Sequence, residues 1–125
     1  VQTCALPISG HTPGSTSWTW KSCEGRECLN IVYADSISAV AAPGFKFTAK
    51  PEVVNLFRRS ISRMAELPCD IVVSTHPQAT GLDDKLQKRA ARKDGPDPFV
   101  DHGCKALAAN ALKGLEARIA EEKKQ

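Results

Sequence analysis

The alternation of apolar and polar residues predicts a β-hairpin early in the chain. Residues 15–21 (STSWTWK) and 29–34 (LNIVYA) alternate in character and are rich in Thr, Trp, Ile, Val and Tyr. The stretch that follows, ADSISAVAAPGFKF, has no regular period and contains a Pro-Gly pair at 43–44. We therefore expect a hairpin followed by a loop.

Further along the chain, apolar residues recur every three or four positions, which predicts helices. One helix begins at Pro51, with Val53, Val54, Phe57, Ile61 and Met64 on its apolar side. The short β-branched run at 69–74 (CDIVVS) predicts a buried strand, and the stretch THPQATG that ends it predicts a polar loop. Helices are also predicted over 82–92 and over about 104–123, the latter with an apolar stripe of Ala108, Ala111, Leu112, Leu115 and Ile119. The order hairpin, helix, strand, helix, helix indicates a mixed α/β layer.

Composition and charge narrow the function classes. A chain of 125 residues that is 42% hydrophobic fits one domain, and no apolar run approaches the roughly 18 residues that a membrane span needs. The net charge is +3, and the only dense basic run, KLQKRAARK at 85–93, carries no aromatic residue that could stack on bases. We expect neither a nucleic-acid nor a membrane partner, although a non-catalytic module that uses this basic helix remains an alternative.

Residues 1–9 (VQTCALPIS) show no periodicity. The first eight can be back-translated as GTT CAG ACG TGT GCT CTT CCG ATC, a common sequencing-library adaptor. We expect residues 1–9 to be adaptor-derived and to take no part in the fold. A natural irregular N-terminus is the alternative.

Setting Cys4 aside leaves four cysteines, which allow three disulfide pairings. Cys23 and Cys28 flank the turn EGRE, so a bridge across the hairpin end is the local choice, and Cys69 then pairs with Cys104. A zinc ion held by all four cysteines is the alternative, but their spacing is not that of paired C-x-x-C knuckles. Disulfides are favoured, and they imply an oxidising compartment.

Candidate site residues lie in loops at the ends of predicted strands. His11 precedes a turn into a strand and His76 follows a buried strand, and neutral imidazole is the commonest metal ligand in proteins. Asp35 could join such a site, or could instead hydrogen-bond the loop that it begins. His102 is expected to be an exposed residue ahead of a helix. Neither DSIS nor GSTS is a G-x-S-x-G nucleophile elbow, so a serine hydrolase is poorly supported.

Four stretches, in this order and spacing, resemble the C-terminal half of a metallo-β-lactamase of the third subclass: GHTPGSTSWTW, YADSISA, RRSISRMAELPCDIVVSTHPQATG and CKALAANALKGLEARIAEE. The resemblance covers residues 10–125. It implies an α/β fold that is the C-terminal half of an αβ/βα sandwich. It also implies a hydrolase that opens the ring of penicillins, cephalosporins and carbapenems with a zinc-bound hydroxide.

The resemblance assigns roles to individual residues. It implies that His11 is a ligand of the first of two zinc ions and His76 of the second. Ser36 stands where related subclasses carry a cysteine ligand and would act through water, whereas Ser38 would receive the carboxylate of the antibiotic. The family's bridges fall on Cys69–Cys104 and, in a smaller group of members, on Cys23–Cys28. We expect a monomeric, periplasmic or secreted parent enzyme.

The chain departs from the family in one respect: it contains no His-x-His-x-Asp-His string, which supplies four of the six zinc ligands. We therefore expect an interrupted gene and a polypeptide that is inactive by itself. Another hydrolase of the same fold, a lactonase or a thioester hydrolase, is the remaining enzymatic alternative.

Overall fold

The structure is a computed structural model and describes residues 3–6, 8 and 14–124. In chain order its elements are β1 (Thr3–Leu6), β2 (Ser17–Glu24), β3 (Glu27–Ala34), α1 (Pro51–Glu66), β4 (Ile71–Ser74), α2 (Leu82–Ala91) and α3 (Cys104–Glu122), with 3-10 turns at Phe47–Ala49 and Pro77–Thr80. The predicted hairpin, strand and three helices are confirmed. None of the helices in this described part is long and apolar enough to cross a membrane.

The strands form one sheet in the order β1-β2-β3-β4. β2 and β3 are antiparallel, in a register that pairs Trp18 with Tyr33 and Cys23 with Cys28. Gly25 turns the hairpin at a φ of 61°, a left-handed conformation that glycine adopts without steric cost. β4 lies parallel to β3, so the chain must cross over between them, and α1 forms that crossover.

The core lies between one face of the sheet and the helices α1 and α3. Val32, Ala34 and Val72 project from the sheet into it, and α1 contributes the buried stripe expected from its period. On α3, however, Leu107 is buried and Leu112 is exposed, so the predicted stripe is wrong at that position. The buried side of α3 runs through Cys104, Ala108, Leu115, Ile119 and Glu122, with the partly buried Ala111 between them. Leu112 lies about 100° around the helix from Ala111 and so falls outside this side.

The opposite face of the sheet is also apolar and is partly open to solvent. The register puts six large side chains on this apolar sheet face: Trp18, Trp20, Ile31, Tyr33, Ile71 and Val73. Trp18 is 43% exposed and Tyr33 is 37% exposed. Large open aromatic surface of this kind favours association with other molecules.

The expectation that residues 1–9 take no part in the fold is corrected for Thr3–Leu6 and Ile8. Thr3–Leu6 extend the sheet as its edge strand, and Ile8 is fully buried in the core. The free backbone edge of β2 supplies the hydrogen bonds for this pairing, which needs no periodic side-chain pattern. That the segment is encoded by an adaptor remains a prediction about the gene.

Two cysteine pairs lie at disulfide distance and are the pairs favoured by their spacing. Their sulfur atoms are 2.07 Å apart in Cys23–Cys28 and 2.11 Å apart in Cys69–Cys104. The second pair joins the segment before β4 to the first residue of α3. Because it closes the longer loop, a chain-entropy estimate gives it about 4 kcal/mol, against about 2 kcal/mol for the hairpin pair.

The C-terminal end of α3 is held by a buried carboxylate. Glu122 accepts hydrogen bonds from the backbone N–H of Thr48 at 2.9 Å, from the Thr48 hydroxyl at 3.1 Å and from Arg118 Nε at 3.1 Å. Burial alone would raise the pKa of Glu122, but hydrogen bonds that include the backbone N–H groups of Thr48 and Phe47 lower it to about 2. The charged form of Glu122 therefore ties α3 to the 3-10 turn at Phe47–Ala49.

Glu122→Gln is expected to remove part of the acid dependence of stability. Because the pKa of Glu122 is about 2 in the folded chain and 4.5 is its reference value, its stabilisation is complete above about pH 4.5 and is lost as the pH falls toward 2. Urea unfolding across this range measures the effect, with the exposed neighbour variant Glu121→Gln as control. Parallel pH curves for Glu122→Gln and the wild type would contradict the assignment.

Replacing Trp18 and Tyr33 with threonine is expected to reduce binding of the dye ANS and to reduce light scattering, because both changes remove aromatic surface from the apolar sheet face. Threonine retains a high strand propensity, so the sheet should survive. Leu112→Gln is the control, since Leu112 is 41% exposed but lies on α3. An equal reduction by the control would show that the sheet face has no special role.

Candidate functional site

A cavity of about 250 Å³ lies between the loop that follows β3, the end of β4 and one face of α3. Ser36, Ser38 and His76 all line it, together with Ser74. Three residues that the resemblance singles out are therefore brought together, although 40 positions separate Ser36 from His76 in the chain. His11, the fourth, lies outside the described residues.

His76 is held at the end of β4 by backbone bonds. The Thr75 N–H donates to the carbonyl of Ala34 at 3.2 Å, which continues the parallel ladder beyond the last strand residue. The His76 N–H donates to the Ser74 hydroxyl at 3.2 Å. The backbone of His76 is extended and its side chain is exposed, so the imidazole is free to receive a ligand at the cavity.

Asp35 fixes the start of the loop that follows β3 and lines the cavity. Its carboxylate accepts hydrogen bonds from the Ser15 hydroxyl and from the Ser36 N–H, both at 2.7 Å, and its own N–H donates to the Ser17 hydroxyl at 3.1 Å. The Ser15 hydroxyl contributes most to lowering the pKa of Asp35, and the Ser36 N–H adds to it. Asp35 thus bonds the loop that it begins, which is the second of the two roles considered for it.

Ser36 is 6% exposed and its hydroxyl has no hydrogen-bond partner among the described residues. An unpartnered buried hydroxyl is costly, and such groups in proteins commonly bond to a water molecule or a ligand. This observation fits a role for Ser36 through water.

His102 lies elsewhere, on the segment ahead of α3. It is exposed, as expected, and has a φ of 53°, which is uncommon for a residue other than glycine. Its Nδ1 lies 3.2 Å from the carbonyl oxygen of Cys69 and 3.4 Å from Asp70 Oδ1. These contacts tie His102 to the segment around the Cys69–Cys104 pair and give it no place at the cavity.

The wall that α3 contributes to the cavity was not predicted from the sequence. This wall consists of Leu107, Asn110, Ala111 and Gly114. The available signal was a polar residue and a glycine four positions apart on one face of a predicted helix, but the apolar stripe assigned α3 to the core alone.

The basic run at 85–93 is largely engaged within the chain. Lys85 is buried and lies 2.7 Å from Asp101, Lys88 pairs with Asp84 at 2.7 Å, and Arg89 lies 3.4 Å from Asp97. Charges neutralised in this way contribute little to binding of a phosphate backbone. The arrangement favours the interpretation of this run as a solvated helix face.

The donors for a metal ion are few. Residues 3–6, 8 and 14–124 include no group of three or more His, Cys, Asp or Glu side chains that could hold one. A catalytic zinc normally has three protein ligands, and the described wall of the cavity offers the imidazole of His76. His76 thus supplies one of the three protein ligands that such a site normally has.

Solved structures that resemble this chain are metallo-β-lactamases. Rm3 metallo-β-lactamase is 46% identical, with a TM-score of 0.89 over 97% of this chain and 46% of its own. SMB-1, in complex with mercaptoacetic acid, is 40% identical, with a TM-score of 0.89 over 98% of this chain and 47% of its own. MEM-A1, a subclass B3 enzyme isolated from a soil metagenome library, is 34% identical, with a TM-score of 0.87 over 98% and 47%. No protein-family model matches the chain.

The chain thus spans about half the length of these relatives, and the matched part is the C-terminal half of theirs. The α/β fold expected from the sequence is confirmed by this match.

Asp35→Ala is expected to loosen the serine loop, residues 35–40 after β3. The change removes a carboxylate that accepts two short hydrogen bonds, at a cost of about 2 kcal/mol in the free energy of unfolding. Amide hydrogen exchange at 36–40 should become faster, while exchange in α1 changes less. Asp94→Ala, an exposed aspartate between α2 and α3, is the control, and equal exchange at 36–40 in both variants would contradict the role of Asp35.

Proposed function

Because the chain belongs to the subclass B3 metallo-β-lactamases, we propose that it is part of a zinc-dependent hydrolase that opens the β-lactam ring of penicillins, cephalosporins and carbapenems. The observation that carries the proposal is the meeting of His76, Ser36 and Ser38 at one cavity. Histidine suits zinc, and the hydroxyl groups suit a polar substrate and ordered water.

In this proposal His76 is a ligand of one zinc ion and His11 of the other. Zinc, when bound, supplies a hydroxide nucleophile near neutral pH by lowering the pKa of its bound water. Two histidines give each of the two ions one ligand, so the remaining ligands would come from a part of the enzyme that corresponds to the unmatched half of the relatives.

The serines have separate tasks. Ser38, at the cavity, would donate its hydroxyl hydrogen to the carboxylate of the antibiotic. The unpartnered hydroxyl of Ser36 would hold a water molecule near His76. Asp35 would keep both serines in place through the backbone N–H of Ser36. No serine acts as a nucleophile in this scheme.

By itself the chain would bind zinc weakly, would not hydrolyse β-lactams, and would associate through the apolar sheet face. The parent enzyme would be monomeric and periplasmic or secreted. The two cysteine pairs at bonding distance support that location, because disulfides persist in oxidising compartments.

The experiment joins this chain to the N-terminal half of Rm3 and measures hydrolysis of a carbapenem. We expect zinc-dependent turnover that a chelator abolishes, and no turnover by the chain alone. His76→Asn should lower kcat/KM about 100-fold or more, because a direct metal ligand is lost. His102→Asn is the matched control and should retain activity, since asparagine tolerates the positive φ at that position.

Two results would overturn the proposal. One is a folded, zinc-loaded fusion protein that leaves every β-lactam intact. The other is equal activity in the His76→Asn and His102→Asn proteins. A lactone and a thioester belong in the same assay, because cleavage of one of them alone would identify a different hydrolase of this fold.

A further inference from the structure

A buried lysine attaches α2 to the rest of the chain. From residue 73 to residue 103, all of which the structure describes, Lys85 is the only buried residue, and its exposed fraction is 7%. It is therefore also the only buried residue of α2. A surface helix usually docks through a stripe of apolar side chains. The attachment of α2 depends instead on a charged group.

One carboxylate holds the Lys85 ammonium. Its Nζ lies 2.7 Å from Oδ2 of Asp101 and 5.9 Å from the centroid of the Phe99 ring, which is a cation–π distance. Among the described residues the ammonium has no well-directed hydrogen bond. Replacing a buried ion pair with apolar side chains is often neutral or stabilising, so stability alone explains this pair poorly. The best-attested use of such a pair is to fix the register of packed elements.

Asp101 is itself fixed against β4. Its Oδ1 accepts a hydrogen bond from the Gly103 N–H at 3.1 Å. Gly103 lies so close to β4 that a Cβ atom at this position would be 2.9 Å from Cγ1 of Val72, so only glycine fits. The carboxylate that receives Lys85 therefore has a fixed position relative to the strand that His76 follows.

Backbone hydrogen bonds lead from Lys85 back to His76. The Lys85 N–H donates to the carbonyl of Gly81 at 3.0 Å, and the Gly81 N–H donates to the carbonyl of Gln78 at 3.2 Å. The carbonyl of His76 accepts from the Ala79 N–H at 2.9 Å. The 3-10 turn that these bonds cover has no buried side chain. Its position therefore depends on its two ends, β4 on one side and α2 on the other.

We propose that the Lys85–Asp101 pair positions His76. The pair anchors α2, and α2 fixes the far end of the turn whose near end carries the imidazole. Lys85 is thus a positioning residue, which acts on the cavity without lining it. This inference rests on the proposed function, since the position of His76 matters for hydrolysis only if its imidazole is a zinc ligand.

The test compares Lys85→Met with Lys88→Met in the chain itself. Methionine keeps an unbranched stem and loses the charge, and Lys88 is an exposed control whose partner Asp84 lies on α2 itself. In Lys85→Met we expect the protection from amide hydrogen exchange at Ala79, at Gly81 and over α2 to fall about tenfold, because the turn loses its anchor. Protection in α1 should stay close to that of the wild type.

His76 gives a second readout. Its ring Cε1–H resonance is recorded near pH 8, where an ordinary imidazole is neutral. The resonance should shift and broaden in Lys85→Met and should stay in place in Lys88→Met. A merely structural role of Lys85 would lower the midpoint of urea unfolding and would leave this resonance unchanged in the folded chain.

A double-mutant cycle tests the pair. Asp101→Asn keeps an oxygen for the Gly103 N–H but removes the charge that faces Lys85. If the two side chains act as one unit, adding Lys85→Met to Asp101→Asn should cause no further loss of protection. Circular dichroism checks that each variant is folded.

Equal protection at Ala79 and Gly81 in Lys85→Met and Lys88→Met would overturn the proposal. So would losses that add in the double variant, or a His76 resonance that Lys85→Met leaves unchanged. The measurements involve neither zinc nor hydrolysis, so their failure can be told apart from failure of the fusion protein to cleave a carbapenem.

Discussion

The parallel pairing of β4 with β3 is the constraint on which the rest of the structure depends. The two strands run in the same direction, with Ala34 opposite Ser74, so the residues that follow each strand emerge at one edge of the sheet. This edge is where open α/β sheets usually bind their ligands. The pairing places His76 across from the serine loop, and a slip of one residue would turn every side chain of β4 to the other face.

α3 holds the ends of β3 and β4 in place. It packs on the opposite side of the hydrophobic core from the sheet. Its first residue is joined to Cys69 just before β4, and Glu122 near its end is bonded to the turn that precedes α1. Between these two attachments the helix covers the sheet and also forms one wall of the cavity. The same helix therefore stabilises the fold and shapes the candidate site, and changes on its cavity face can alter the site while its core-facing residues stay intact.

Much of this arrangement could be predicted from the sequence because it follows from local patterns. The hairpin and α1 are marked by periods of two and of three to four, and Pro51 and the Pro-Gly pair mark boundaries. The meeting of Ser36 and His76 depends on the pairing of strands distant in sequence, and it was reached only through resemblance to a family. The edge strand was missed because its pairing with β2 needs no periodic side-chain pattern, and the α3 wall was missed because the apolar stripe assigned that helix to the core alone. Leu112 shows the limit of a periodic argument, since a stripe two residues wide does not reveal which of them faces the core.

The crossover between β3 and β4 also has a kinetic consequence. Each residue of β4 pairs with a residue 40 positions earlier, as Ile71 does with Ile31. The hairpin needs only local contacts and can form within microseconds, whereas β4 must wait until a long loop has closed. During that interval the backbone edge of β3 that β4 later covers has no partner strand. The pairing of β4 with β3 is thus the slow step of folding. Until it is complete, the open strand edges of two chains emerging from neighbouring ribosomes can pair with each other instead of with β4.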